Sequence, residues 1–222
     1  MSEHTSKMTG LTDSLPLRTR KPRGQGASRR GEILTAAKRL FTEEGFAHAT
    51  MRRIAAEVGV SPTALYLHFA DKDAILKAIA EDFFAELLER LRQANRADEP
   101  GLANLRRGMR SYIETGLERS DEYQLTFMTS TARPGYRHCD PIDLDHPTGA
   151  DLSFAVLEHA VAEQMAAGVF RPGCVRTMAE ALWCCLHGAT SALITMSDRM
   201  YAAREDVIES VIETAIRGCM AK

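Results

Sequence analysis

The 222-residue chain lacks the signatures of several protein classes. Its five cysteines are odd in number and scattered, the usage expected of reduced thiols in a cytoplasm rather than of a disulfide framework. No apolar run approaches the roughly 20 residues that span a bilayer. The first two dozen residues are polar, rich in Ser, Thr and Gly, and carry no apolar leader core. The expected location is therefore cytoplasmic, with no membrane partner. A nucleophile elbow, a phosphate-binding glycine loop, a zinc-helix motif and a dinucleotide fingerprint are all missing. These absences point away from an enzyme, and no cofactor or metal site is expected. No stretch alternates with period two over strand length, and there is no internal repeat.

What is present is helical. Apolar residues make up 45% of the chain, ample for a buried core, and every periodic segment follows a helical spacing. Gly31 to Glu44 carries Ile33, Leu34, Ala37, Leu40 and Phe41 on one face, and Gly45 ends it. Asp71 caps a long helix whose Ile75, Ile79, Phe83, Leu87 and Leu91 recur every four residues up to Ala94. Leu102 to Leu117, Tyr123 to Thr131, Asp151 to Ala167, Arg176 to Met196 and Glu205 to Met220 also read as helices. Arg133 to Gly149, with its prolines and glycines, reads as a loop. The expected fold is all-α, with about nine helices. Residues 1–27 would form a flexible basic arm, 28–71 a three-helix unit and 72–222 a larger helical domain entered through the long helix.

Thr50 to Leu76, TMRRIAAEVGVSPTALYLHFADKDAIL, is the most informative stretch. Thr50 can cap a short helix with Ile54, Ala55 and Val58 inward. Gly59 supplies the positive φ of a tight turn, with Val60 dropping beneath it. Ser61 is a favoured N-cap, and Pro62 sits at the first helical position, where its missing N–H costs nothing. Leu65 and Phe69 point inward, leaving Thr63, Ala64, Tyr66 and His68 outside. Phe41, Phe46, Ile54, Leu65 and Phe69 are the expected core of the unit. The pattern is a helix-turn-helix, although any helical hairpin can place a glycine between two helices.

Charge is the second, independent observation. Arg18, Arg20, Lys21, Arg23, Arg29 and Arg30 crowd upstream with no acid among them. Residues 1–77 carry a balance of +5, against −7 for the rest. A local basic surface attached to an acidic domain suits DNA binding without a basic pI. The run reads both as a solvated tail when free and as an arm partly ordered on nucleic acid.

The LFTEEGF end of the first helix, IAAEVGVSPTALYLHF and the following DKD together resemble the tetracycline-repressor (TetR) family of bacterial transcription regulators over Gly31 to Ile79. The resemblance implies a homodimer that places one reading helix per subunit in the major groove of a palindromic double-stranded DNA operator. Thr50 and Arg52 would then hold phosphate. Ser61, Pro62, Thr63 and Ala64 would present the reading end, with Thr63 and Ala64 touching base edges or thymine methyls. Tyr66 and His68 resemble the family's phosphate-contacting pair, and Lys72 adds a point charge toward the backbone. Tyr66 also reads as a half-buried core residue and His68 as a solvated one. Arg53 can pair with Glu57 instead. Val207, Ile208, Val211, Ile212 and Ile216 form an apolar stripe suited to an internal face, an intersubunit face, or both.

In the acidic second domain, WCCLHG places Trp183, His187 and Gly188 as in a tryptophan-histidine-glycine subgroup of the family. Trp183 and His187, four apart, read equally as ordinary helix packing. Phe127, Met128, Phe154, Met178, Trp183 and His187 are candidates for a pocket holding a small apolar or amphipathic effector, and they also make ordinary core. Cys139 and His146, among nearby Asp and His, match no strong zinc spacing and read as a polar loop. The expected function is an effector-released repressor, with activation of some promoters as the lesser reading. The alternative is a helical interaction or sensor module that reads no DNA.

Overall fold

The computed structural model describes residues 26–99, 101–129 and 147–221. Among them are nine α-helices and no β-strand: α1 (Gly26–Glu43), α2 (Met51–Val58), α3 (Pro62–Tyr66), α4 (Lys72–Ala94), α5 (Gly101–Glu118), α6 (Ser120–Phe127), α7 (Gly149–Ala166), α8 (Val175–Thr195) and α9 (Arg204–Cys219). A single 3₁₀ turn, Ser197–Arg199, follows α8. An isolated antiparallel bridge pairs Phe170 with Met220 and pins the α7–α8 connection to the end of α9.

The largest departures from the expected helix bounds are at α1 and α6. The first helix begins at Gly26 rather than Gly31, because a glycine within an exposed helix costs only about 1 kcal/mol and Arg29 pairs with Glu32 at 2.6 Å across Gly31. α6 runs from Ser120 to Phe127 rather than from Tyr123 to Thr131. The expected basic arm up to Gln25, and nearly all of the loop expected from Arg133 to Gly149, lie outside the described residues.

Local signals build the N-terminal head. Thr50 is extended and its Oγ1 accepts the Arg53 N–H at 3.2 Å, starting α2. Gly59, at φ 72°, turns the chain where an L side chain would be strained. Ser61 Oγ accepts the Ala64 N–H at 3.1 Å, with Pro62 opening α3. Asp71 accepts from the Asp73 and Ala74 N–H groups and starts α4. Ile33, Ala37 and Leu40 of α1, Ile54 and Ala55 of α2, and Leu65 then bury completely or nearly so. Phe41 and Phe69 join this core, while Phe46 is only half-buried at its edge, its ring 5.0 Å from that of Phe41.

α4 serves both parts of the molecule. Its Ile75, Ala78 and Ile79 complete the head core, and Phe83, Leu87 and Leu91 enter the core of the helical body. In the body, α8 lies against α5, α7 and α9, and α9 rests on α5 and α8. Arg106 holds Glu213 at 2.6 Å, and Arg110 holds Glu205 at 2.5 Å and also Glu209, so two arginines of α5 clasp α9. α6 is shared as well: Leu125 packs in the head core and Tyr123 in the body core.

Candidate nucleic-acid interface and buried aromatic cluster

Burial of Leu65 and Phe69 fixes which side of α3 faces solvent. Thr63, Tyr66, Leu67 and His68 are exposed on the other side, and Pro62 and Ser61 are exposed beside them. Ala64 is half-buried rather than fully outside. The Thr50 and Ser61 hydroxyl oxygens are engaged as caps, but each retains its O–H proton as a donor. Arg52 is exposed and forms no ion pair among the described residues. Arg53 pairs with Glu44 at 2.9 Å instead of with Glu57, whose partner is Arg39 of α1. That exchange ties the start of α2 to the end of α1.

Arg29, Arg30 and Lys72 have intramolecular partners. Arg29 pairs with Glu32 at 2.6 Å, and the Arg30 guanidinium lies 5.2 Å over the Phe69 ring. Lys72 Nζ donates to the Phe46, Ala47 and Ala49 carbonyls at 2.8, 3.3 and 3.4 Å and lies 4.5 Å from the Phe46 ring centroid. An ammonium has three N–H donors, and here all three are directed into the α1–α2 turn. In this arrangement Lys72 clamps the turn rather than presenting a free charge.

In the body, Phe127, Trp183 and His187 come together in one aromatic cluster, and Met178 and Phe154 belong to the same hydrophobic core. Trp183 and His187 stack with centroids 5.1 Å apart and planes at 24°, His187 stacks on Tyr123 at 5.6 Å, and Phe127 meets His187 at 5.1 Å. Phe154 lies under the Arg176 guanidinium at 4.4 Å. Met178 is buried, and Met128 is half-buried at the core's edge.

Two tyrosines that the sequence reading missed link this cluster. Trp183 Nε1–H donates to Tyr112 Oη at 3.1 Å, the two tyrosine hydroxyls are 3.3 Å apart, and Tyr123 Oη lies 2.6 Å from His187 Nδ1. The buried Tyr112 hydroxyl needs an acceptor, and Tyr123 Oη provides it. Tyr123 Oη in turn stands beside His187 Nδ1 and lies 3.5 Å from the His187 carbonyl oxygen, to which it donates. Burial, reinforced by the neighbouring Tyr123, pushes the Tyr112 phenol well above its ordinary pKa, and burial raises that of Tyr123. Both therefore stay neutral hydrogen-bonding groups. Only their inward position on α5 and α6 distinguished them from surface tyrosines, and periodicity does not reveal a hydroxyl's partner.

The apolar stripe of α9, expected to serve an internal face, an intersubunit face or both, turns inward at three positions. Ile208, Ile212 and Ile216 are at most 2% exposed, because residues four apart on α9 face α5 and α8. Val207 and Val211 remain half-buried. Among the described cysteines, Cys174, Cys184 and Cys185 are exposed and Cys219 is buried, all as free thiols. Cys139 and His146 lie outside the described residues.

Residues 33–79 match the family model of bacterial regulatory proteins of the tetR family, and residues 105–215 match that of the tetracyclin repressor-like C-terminal domain. The second match alone covers half of the chain. The chain belongs to the TetR family. The HTH-type transcriptional repressor Rv1474c of Mycobacterium tuberculosis is 39% identical over 83 residues, covering 37% of this chain and 41% of that protein. The chain thus matches about two fifths of that relative's length. A protein of unknown function from Rhodococcus sp. RHA1 shares the fold with TM-score 0.71 and 24% identity, over 91% of this chain and 100% of that one. The SmeT–triclosan complex superposes with TM-score 0.67 and 20% identity, over 88% and 93%. TetR-family architecture thus accounts for the head, the shared α4 and the helical body. No described helix is long and apolar enough to cross a membrane.

Proposed function

We propose that this TetR-family chain is a cytoplasmic homodimeric transcriptional repressor that binds a palindromic operator and is released by a small amphipathic effector. The observation that carries this reading is the exposed outer side of α2–Gly59–α3. There Thr50, Arg52, Thr63, Tyr66 and His68 stand in solvent while Leu65 anchors α3 from beneath and Phe69 the turn that follows it. Arg52 and the hydroxyls would hold phosphate, and Thr63 would meet base edges. A five-residue helix offers few such contacts, so two symmetric copies are needed for tight specific binding.

The dimer surface would lie on the outer faces of α8 and α9. Ala181, Cys184 and Gly188 are exposed on α8, and Val207 and Val211 are half-buried on α9. Small residues permit close helix approach. Trp183, His187 and Gly188 would be the tryptophan-histidine-glycine element of the family subgroup. An effector would seat against Phe127 and Trp183, with a polar group near the Tyr112–Tyr123–His187 chain. It need only bind the operator-incompetent conformer better than the competent one. Rv1474c is named a repressor and SmeT was solved with triclosan, and both support this reading by analogy.

Capture of genomic DNA by the purified full chain at two salt concentrations tests the proposal. A recovered palindrome whose binding weakens with salt supports it. Sequence-indifferent binding, or none at either salt, would sink it.

A further inference from the structure

One side chain on the reading surface has no role in the contacts above. Leu67 is 83% exposed. Its backbone stays right-handed helical, at φ −70° and ψ −20°, so it lies one turn beyond Thr63 on the same side of the helix. Tyr66, 54% exposed, and the exposed His68 flank it. Leu65 at 0% and Phe69 at 5% exposure hold the helix down from the opposite side, so Leu67 cannot turn inward without unseating them.

A single exposed leucine is common on protein surfaces. This one stands amid hydroxyl, phenol and imidazole groups and is aligned with the Thr63 γ-methyl one turn before it. In the major groove the methyl group that a base pair displays is the thymine C5-methyl, and apolar side chains read it by contact. We propose that Leu67, with the Thr63 methyl, reads a thymine methyl in each half-site and so determines part of the operator sequence. The inference rests on the DNA-binding reading and adds a base-specific apolar contact to it.

The test uses the full chain and an operator selected from random duplex DNA. Each symmetric thymine pair is replaced by deoxyuridine, which removes only the methyl. One pair should weaken wild-type binding roughly four-fold per half-site, or about fifteen-fold for the symmetric site, the equivalent of one buried methyl each. Leu67→Ala should bind more weakly and lose that uracil penalty, whereas Leu67→Met, still apolar, should retain it. Circular dichroism should show both variants folded. Wild-type indifference to every uracil replacement, or a penalty undiminished in Leu67→Ala, would overturn the inference while leaving the regulator reading intact. Recovery of no operator at all would overturn both.

Discussion

Lys38 of α1 and Glu122 of α6 meet at 2.7 Å although 84 residues separate them. The Arg119 guanidinium reaches the same carboxylate oxygen at 3.2 Å, donates to the Asp82 carbonyl of α4 at 3.1 Å and lies 5.9 Å from the Phe83 ring. One carboxylate thus joins the reading head to α6, and α6 to α4. The next residue, Tyr123, belongs to the buried hydroxyl chain of the body.

This junction has a definite pH dependence. Burial pushes the Glu122 carboxyl up, but the hydrogen bond from Lys38, the backbone and the charges of Lys38 and Arg119 outweigh it and hold the group below its ordinary range. A depressed carboxylate contributes stability above its unfolded pKa and loses it as pH falls through the folded one. Glu122→Gln should therefore lower unfolding stability by about 2 kcal/mol at neutral pH, with the difference shrinking below the normal carboxylate range. Denaturant unfolding of both proteins across acid pH checks this. A difference that does not depend on pH would rule out the charge as its cause.

Arg52 and Lys72 should separate cleanly in their effects. Arg52→Ala should leave stability unchanged and reduce the slope of log affinity against log salt by about 0.9 per subunit. Lys72→Met should lower stability by about 1–2 kcal/mol, since the Phe46, Ala47 and Ala49 carbonyls lose their donor. Its salt slope should stay close to wild type. Binding titrations at several salt concentrations, paired with chemical denaturation, measure both quantities. A reduced slope for Lys72→Met would return that ammonium to the phosphate contacts.

Tyr123→Phe should destabilise the body by about 2 kcal/mol, because the Tyr112 hydroxyl loses its acceptor in a buried site. Trp183 is the only tryptophan, and its indole N–H donates into the same chain. Its emission should therefore shift with the substitution. An unchanged spectrum together with unchanged stability would show that the hydroxyl chain is not formed in solution.

Gly116 is packed where a Cβ would stand 2.6 Å from Thr190 Cγ2 and 2.9 Å from Tyr123 Cδ2. Gly116→Ala should cost about 1–3 kcal/mol by overpacking. Adding Thr190→Ser, which deletes the clashing methyl, should recover part of the loss. Thermal melts of the single and double variants provide the comparison; additive losses would contradict the contact.

The helix-turn-helix was legible in the chain because its determinants act within four residues. Thr50, Ser61 and Asp71 each satisfy N–H groups two or three positions ahead, and Gly59 turns the backbone by itself. The inward faces of α4 and α9 were legible for a similar reason, since a four-residue recurrence declares a buried side. It does not declare what is buried against it. Of the α9 stripe, expected to serve an internal face, an intersubunit face or both, only packing assigned Ile208, Ile212 and Ile216 to the inside of the subunit.

By itself the sequence determined an all-helical chain, a TetR-like head and the side of α3 left to solvent. Tertiary structure decided the partners. Lys72, a free cation in the sequence, became a clamp because the Phe46–Ala49 carbonyls fold back onto the start of α4. Tyr112, Tyr123 and His187 became one hydrogen-bonded chain because α5, α6 and α8 converge. The physical reason is range: capping and periodicity are encoded between neighbours, whereas these ion pairs and buried hydroxyls join groups from 11 residues apart, as in Tyr112 and Tyr123, to 95, as in Arg110 and Glu205, that only packing brings into hydrogen-bond reach.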